Sequence, residues 1–172
     1  MMPEYNSNNR SNNRSGGNNN SRSNNGNYVR NINRNQLSTL GSEKLNSTNY
    51  VSIAEKVINH LTEGRPGNNT YLLTTSQIRN LLSLNSEIYN TVVNMGSSEL
   101  DEAVISKLLY LKVRMVYESG RQEKVDLFIK NSHLIEHLEY VCKTKKKSDY
   151  LIFARYMEAL VAYRKFLGGK DD

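Results

Sequence analysis

From Val51 onward, apolar side chains recur at helical spacing, and no segment alternates as a half-buried strand would. Val51 to Leu61 sets Ile53, Val57, Ile58 and Leu61 at that spacing, and the segment 64–69 (GRPGNN) then breaks the pattern, which predicts a short first helix. Thr74 followed by Gln77 has capping-box spacing. Ile78, Leu81, Leu82, Ile88, Tyr89 and Val92 then carry a second helix to about Met95, where Gly96 and Ser97 end it. Ser98 can cap a third helix, with Glu99, Asp101 and Glu102 near its positive end and an apolar run from Leu100 to Tyr117 that continues until Gly120. The pattern resumes from Gln122 to about Cys142 as one helix or two, because the side chains of Asn131 and Ser132 compete for backbone hydrogen bonds. After the basic loop 143–147, Ser148 starts the last helix, and Gly168 and Gly169 stop it.

The expected class is therefore all-α: a small bundle of about five helices over residues 50–172, preceded by a tail over residues 1–49. Between Asn6 and Asn35 the tail is almost entirely Asn, Ser, Gly and Arg, with Tyr28, Val29 and Ile32 as its few hydrophobes. Such a stretch cannot offset the entropy of ordering, so disorder is expected there. Its spaced arginines, Arg10, Arg14, Arg22, Arg30 and Arg34, read as a solubilising leader and are assigned no site.

Charge changes the picture less than the total suggests. The chain of 172 residues carries a formal +6. Residues 1–49 hold six basic and two acidic side chains, and residues 50–172 hold 17 and 15, so the folding part is nearly balanced. A folded binding surface must then come from segregating charge, not from excess. Cys142 has no partner for a disulfide or a thiolate zinc site, and no apolar run approaches the roughly 20 residues that span a bilayer. The expectation is a cytoplasmic protein with no membrane partner.

One motif points to catalysis. His133-Leu-Ile-Glu-His137 matches the H-x-x-E-H pattern of inverted zinc peptidases, in which two His one helical turn apart hold Zn²⁺ and the Glu activates water. The pattern also needs a third ligand. Glu139 points away from His137, and Glu158 lies on another helix. No nucleophile elbow or phosphate-cradling loop accompanies it. No catalytic, metal or cofactor residue is assigned, and a non-enzyme is expected.

Two helices carry the remaining signal. On the third, Lys107, Arg114 and Arg121 recur every seven residues, within about 40° of one another, with Tyr110 and Tyr117 alongside. This basic stripe can follow a phosphate backbone, with tyrosines to stack on unpaired bases; it can equally be a solvated face that Glu118 partly neutralises. The last helix is apolar around nearly its whole circumference, leaving Arg155, Glu158, Ala162 and Lys165 as a narrow polar strip. Arg164 falls among its apolar side chains, near Phe153 and Met157, so the helix is either the centre of its own bundle or shared with another protein.

Three segments in order carry a family resemblance: Leu73-Thr-Thr-Ser-Gln-Ile-Arg79, Leu111-Lys-Val-Arg-Met-Val-Tyr-Glu-Ser-Gly-Arg121 and Phe153-Ala-Arg-Tyr-Met-Glu-Ala-Leu-Val-Ala-Tyr-Arg-Lys-Phe-Leu-Gly-Gly169. From about Tyr71 to Asp171 the chain resembles the small subunit of type III-A CRISPR (Csm) effector complexes. The resemblance implies a helical-bundle, non-catalytic subunit of an antiviral ribonucleoprotein. Its copies self-associate as a minor filament beside the backbone subunits and the large polymerase-like subunit, and hold the backbone of target RNA paired with crRNA without reading sequence. Matched residue by residue, it makes Arg79, Lys112, Arg114, Arg121, Arg155, Arg164 and Lys165 candidates for RNA contact, with Arg79, Arg114 and Arg121 foremost; Lys107 joins the RNA-binding set from the stripe. The projection of the last helix assigns a protein interface to Arg164, Phe153 and Met157. A helical protein-interaction adaptor without RNA contact is the alternative, followed by a zinc hydrolase using His133-Leu-Ile-Glu-His137.

Overall fold

Among the described residues of the computed structural model, 41–63 and 73–167, the chain forms six α-helices and no named strand. They are α1 (Tyr50–Glu63), α2 (Thr75–Val93), α3 (Glu102–Arg121), α4 (Glu123–Asn131), α5 (Leu134–Thr144) and α6 (Lys147–Phe166). The all-α expectation holds, and the open choice at Asn131-Ser132 resolves into two helices. Both side chains turn back on the preceding turn, Asn131 Nδ2 donating to Leu127 O and Ser132 Oγ to Phe128 O, each at 2.6 Å. His133 then takes a left-handed conformation (φ 49°), which no helix continues through. The expected disorder of residues 1–40, the break at 64–69 and the stop at Gly168-Gly169 lie outside the described residues.

The helix ends follow local chemistry. Thr74 caps α2 with the capping box its spacing suggests, the Gln77 amide oxygen accepting from Thr74 N at 2.7 Å. The cap of α3 is Asp101, not Ser98: its Oδ1 accepts from Val104 N at 2.8 Å, and a carboxylate also complements the positive helix end. The last helix begins one residue before Ser148, because Lys147 N donates to Ser98 O (2.9 Å) while Leu100 N donates to Lys145 O (2.7 Å). That short antiparallel bridge ties the α2–α3 connection to the α5–α6 connection. The Lys147 ammonium then reaches Val93 O (3.1 Å) and Met95 O (2.5 Å), a cation on the open carbonyls that end α2.

Helix α6 lies at the centre, packed against α1, α2 and α5, while α3 packs against α2, α4 and α5. Tyr150, Phe153, Tyr156, Met157 and Leu160 of α6 are buried with Val57, Ile58, Ile88, Leu108, Met115 and Leu138. The two tyrosines satisfy their hydroxyls on backbone carbonyls, Tyr150 on Asn85 O at 3.0 Å and Tyr156 on Ser132 O at 3.1 Å. Burial pushes both phenols well above their ordinary value, so they remain donors.

The ordered chain begins before Tyr50. Residues 41–49, placed in the tail on composition, form an Asn46-centred turn, with Leu45 packed against the core and Gly41 buried. Gly41 O accepts from His137 Nε2 at 2.7 Å, which fastens this strap to α5.

Candidate nucleic-acid interface

The basic stripe of α3 exists, and its geometry depends on a buried acid. Glu118, only 4% exposed, accepts from Arg114 Nη2 at 3.0 Å and from Arg121 Nη1 at 3.5 Å. Spacings of four and three residues put both partners beside it on a helix. The two guanidinium carbons flank the ring of Tyr117 at 5.5 and 5.4 Å from its centroid. Glu118 and Tyr117 thus hold two cations in fixed positions beside an aromatic ring that is 53% exposed. One carboxylate against two guanidiniums leaves this cluster with net positive charge, and each guanidinium keeps N–H donors that Glu118 does not use. The arrangement can bind phosphate oxygens and stack a base.

The other cations are distributed around the bundle. Lys107 continues the stripe toward the start of α3, where its ammonium is 3.5 Å from the Glu87 carboxylate. Arg79 is exposed on the first turns of α2. That end of α2 meets the end of α3 through a hydrogen bond from Gln77 Nε2 to Gln122 Oε1, which brings Arg79 to the Arg121 end of the bundle. Lys112 lies on the opposite edge of α3, its ammonium 2.6 Å from Glu139 of α5, apart from the stripe. Arg155 and Lys165 are exposed on α6 in the strip that the helical projection gave, with Glu158 and Ala162. The structure therefore gathers Arg114 and Arg121, with Arg79 and Lys107 toward the two ends of the same helix pair, and leaves Lys112, Arg155 and Lys165 elsewhere.

Three assignments are corrected. Phe153, Met157 and Arg164, assigned to a protein interface, are all buried inside the bundle, Arg164 at 2% exposure. Helix α6 packs against α1, α2 and α5, and these three side chains are taken up in the interior. Most of the exposed large hydrophobes among the described residues are on α3, where Leu109, Tyr110, Val113, Val116 and Tyr117 are all exposed. The residues behind it were visible as part of one long apolar run, but an element with apolar residues on both sides cannot be told from a fully buried one by periodicity alone.

The zinc reading does not fit the geometry. His133 is the left-handed residue before α5 and so is not on the helix that carries His137. His137 Nε2 is committed to Gly41 O, and the ring stands edge-on to Tyr156 at 5.5 Å. Burial, its largest influence, holds the imidazole of His137 below its ordinary value. Among the described residues no group of three His, Cys, Asp or Glu side chains can hold a metal ion, and no helix is long and apolar enough to cross a membrane.

Residues 44–170 match the family model described as Csm2 Type III-A. The chain is 44% identical over 127 residues to the CRISPR system Cms protein Csm2 of Streptococcus thermophilus, covering 74% of this chain and 98% of that protein. It is 40% identical over 122 residues to the protein of the same name from Mycobacterium tuberculosis, covering 71% and 94%. It is 44% identical over 94 residues to that of Enterococcus italicus, covering 55% and 67%. The match spans the strap from Lys44, all six helices and the Glu118 cluster, and the chain belongs to the Csm2 type III-A family, the small subunit of the type III-A CRISPR Csm complex.

Proposed function

We propose that the chain is a non-catalytic structural subunit of a cytoplasmic type III-A effector ribonucleoprotein. In it, copies stack beside the other Csm subunits and hold the backbone of crRNA-paired target RNA without reading its sequence, in defence against foreign nucleic acid. The observation that carries the RNA part is the pair Arg114 and Arg121, fixed on either side of Tyr117 by the buried carboxylate of Glu118. Base pairing within the complex supplies sequence information, so the protein needs only phosphate contacts at regular positions, which two guanidiniums per copy provide.

The test is target-RNA retention by the reconstituted complex across a salt series, with and without Arg114→Glu/Arg121→Glu. On single-stranded RNA each lost phosphate contact lowers the slope of log affinity against log salt by roughly 0.7, so the double variant loses about 1.4 per copy. An unchanged slope and unchanged retention in a complex that still contains the variant subunit would refute the RNA-backbone role and leave a protein-binding adaptor.

A further inference from the structure

A cavity of about 330 Å³ opens between the strap, α5 and the start of α6. Leu45, Val141 and Phe153 give it an apolar floor, and Tyr140 supplies an aromatic wall. Three carboxylate or ammonium side chains line it: Lys44 from the strap, Glu136 from the first turn of α5 and Asp149 from the first turn of α6. A volume of this size, apolar with a few convergent polar groups, is the usual build of a small-molecule site. No residue of the α3 stripe lines it.

The charges select a cation. Two carboxylates stand against one ammonium. Among the described residues neither carboxylate forms an ion pair with a Lys or Arg, and the His133 imidazole is 3.7 Å from Glu136, beyond hydrogen-bond length. The other charged side chains nearby in sequence, Glu43, Lys143, Lys145 and Lys146, are exposed and do not line the cavity. Lys44 shows what the mouth accepts. Its ammonium lies 5.0 Å from the centroid of the Tyr140 ring, over its face, and Tyr140, then more weakly Asp149, raise its pKa above the ordinary value. Lys44 is an exposed side chain on the strap, so a cation from solution can take its place.

We propose that this cavity binds a linear aliphatic diamine, with one ammonium at Glu136, the other at Asp149 and the methylene chain over Leu45, Val141 and Phe153. A lysine side chain from another protein has a similar stem but a single ammonium, and leaves one carboxylate unmatched. An anionic ligand would meet two carboxylates. A diamine in this position touches the strap and both helices, and a ligand held only by the folded chain raises the unfolding midpoint.

The experiment titrates putrescine into the full chain at physiological salt and follows imidazole and phenol ring signals by nuclear magnetic resonance. His133, His137 and Tyr140 are expected to shift saturably, and His60, which does not line the cavity, to stay in place. Glu136→Gln and Asp149→Asn should each weaken binding by roughly two- to fivefold, the equivalent of one exposed ion pair. Lys44→Ala should tighten it by roughly two- to fivefold, because it removes the cation that competes for the Tyr140 face. The amine n-butylamine, which copies a lysine side chain, should bind about fivefold more weakly than putrescine. Shifts that do not saturate, or that persist unchanged in the Glu136→Gln/Asp149→Asn double variant, would reduce the effect to general screening and overturn the proposal. Equal affinity for n-butylamine would assign the cavity to a lysine side chain and overturn the diamine. Unchanged affinity in Lys44→Ala overturns it as well, in a variant altered only at an exposed side chain.

Discussion

Replacing Gly41 with alanine tests whether the strap before α1 is part of the fold. Gly41 has φ +86°, and a Cβ built on it would lie 2.8 Å from Asn131 O, 3.3 Å from Val57 Cγ2 and 3.4 Å from His133 Cδ2. The first neighbour is backbone and cannot swing aside. An L-residue in the left-handed region costs about 1–2 kcal/mol before any clash is counted. If the strap moves to relieve the clash, Gly41 O leaves His137 Nε2, and a buried donor without an acceptor costs about 1–3 kcal/mol. These terms do not simply add, because once the strap detaches water can reach His137 and relieve its loss. The expected destabilisation is therefore about 2–4 kcal/mol, near the upper end for a single substitution.

The assay is urea unfolding followed by helical circular dichroism, with two glycines as internal controls. Neither Gly96 nor Gly120 would bring a Cβ within 4 Å of another group. Gly96→Ala is expected within about 0.5 kcal/mol of the parent. Gly120→Ala, inside the last turn of α3, is expected to stabilise by up to about 1 kcal/mol. A loss below about 0.5 kcal/mol for Gly41→Ala would refute the strap's role, since a docked Gly41 cannot accept a Cβ without cost.

Other substitutions probe separate links. His137 stays neutral in the fold because burial, its largest influence, lowers its pKa; the nearby charge of His133 adds to this, while the Gly41 carbonyl and Glu136 oppose it. Above the ordinary value of 6.5 both states are neutral. As pH falls below it, the unfolded chain gains a proton that the folded one does not, so stability declines toward acid; the unfolding midpoint should fall between about pH 7.5 and about pH 5.5, with His137→Phe flattening that dependence. Thr74→Ala removes the oxygen that accepts from Gln77 N and should cost about 1 kcal/mol by the same unfolding assay. Glu118→Gln removes the carboxylate shared by Arg114 and Arg121. It should lower stability by about 1 kcal/mol and weaken RNA binding in a filter assay, because the guanidiniums lose the acceptor that fixes them; undiminished binding would mean that Glu118 neutralises the arginines more than it positions them.

The helices were legible because their signals are local. Thr74 and Gln77 are three residues apart, and the apolar positions of α2 and α5 repeat within a turn, so neither depends on what packs against them. The strap was not legible for the opposite reason. Gly41 and His137 are 96 residues apart, and nothing near Gly41 in sequence announces a bond that only the folded bundle creates. Composition assigned residues 41–49 to the tail because Gly, Ser and Asn are common to turns and to disordered chain alike. The same limit applies to Lys147, whose ammonium ends α2 across a separation of more than 50 residues.

The site divides along the same line. The seven-residue spacing of Lys107, Arg114 and Arg121 gave the stripe, and the distances to Glu118 and Tyr117 follow from one helix alone. Which apolar helix faces outward does not follow from one helix. Both α3 and α6 carry apolar residues on more than one side, and a helix of that kind is resolved only by counting its neighbours. With α1, α2 and α5 around it, α6 has little surface left to share, and Arg164 is carried into the interior with it. Helix α3 has neighbours on its inner side only, so its Val113 face remains open beside the very arginines proposed to meet RNA. If that open face meets a protein neighbour and the stripe meets phosphate, the two contacts lie on adjacent faces of one rigid helix, and a seated subunit would have its guanidiniums placed before RNA arrives, lowering the ordering cost of each phosphate contact.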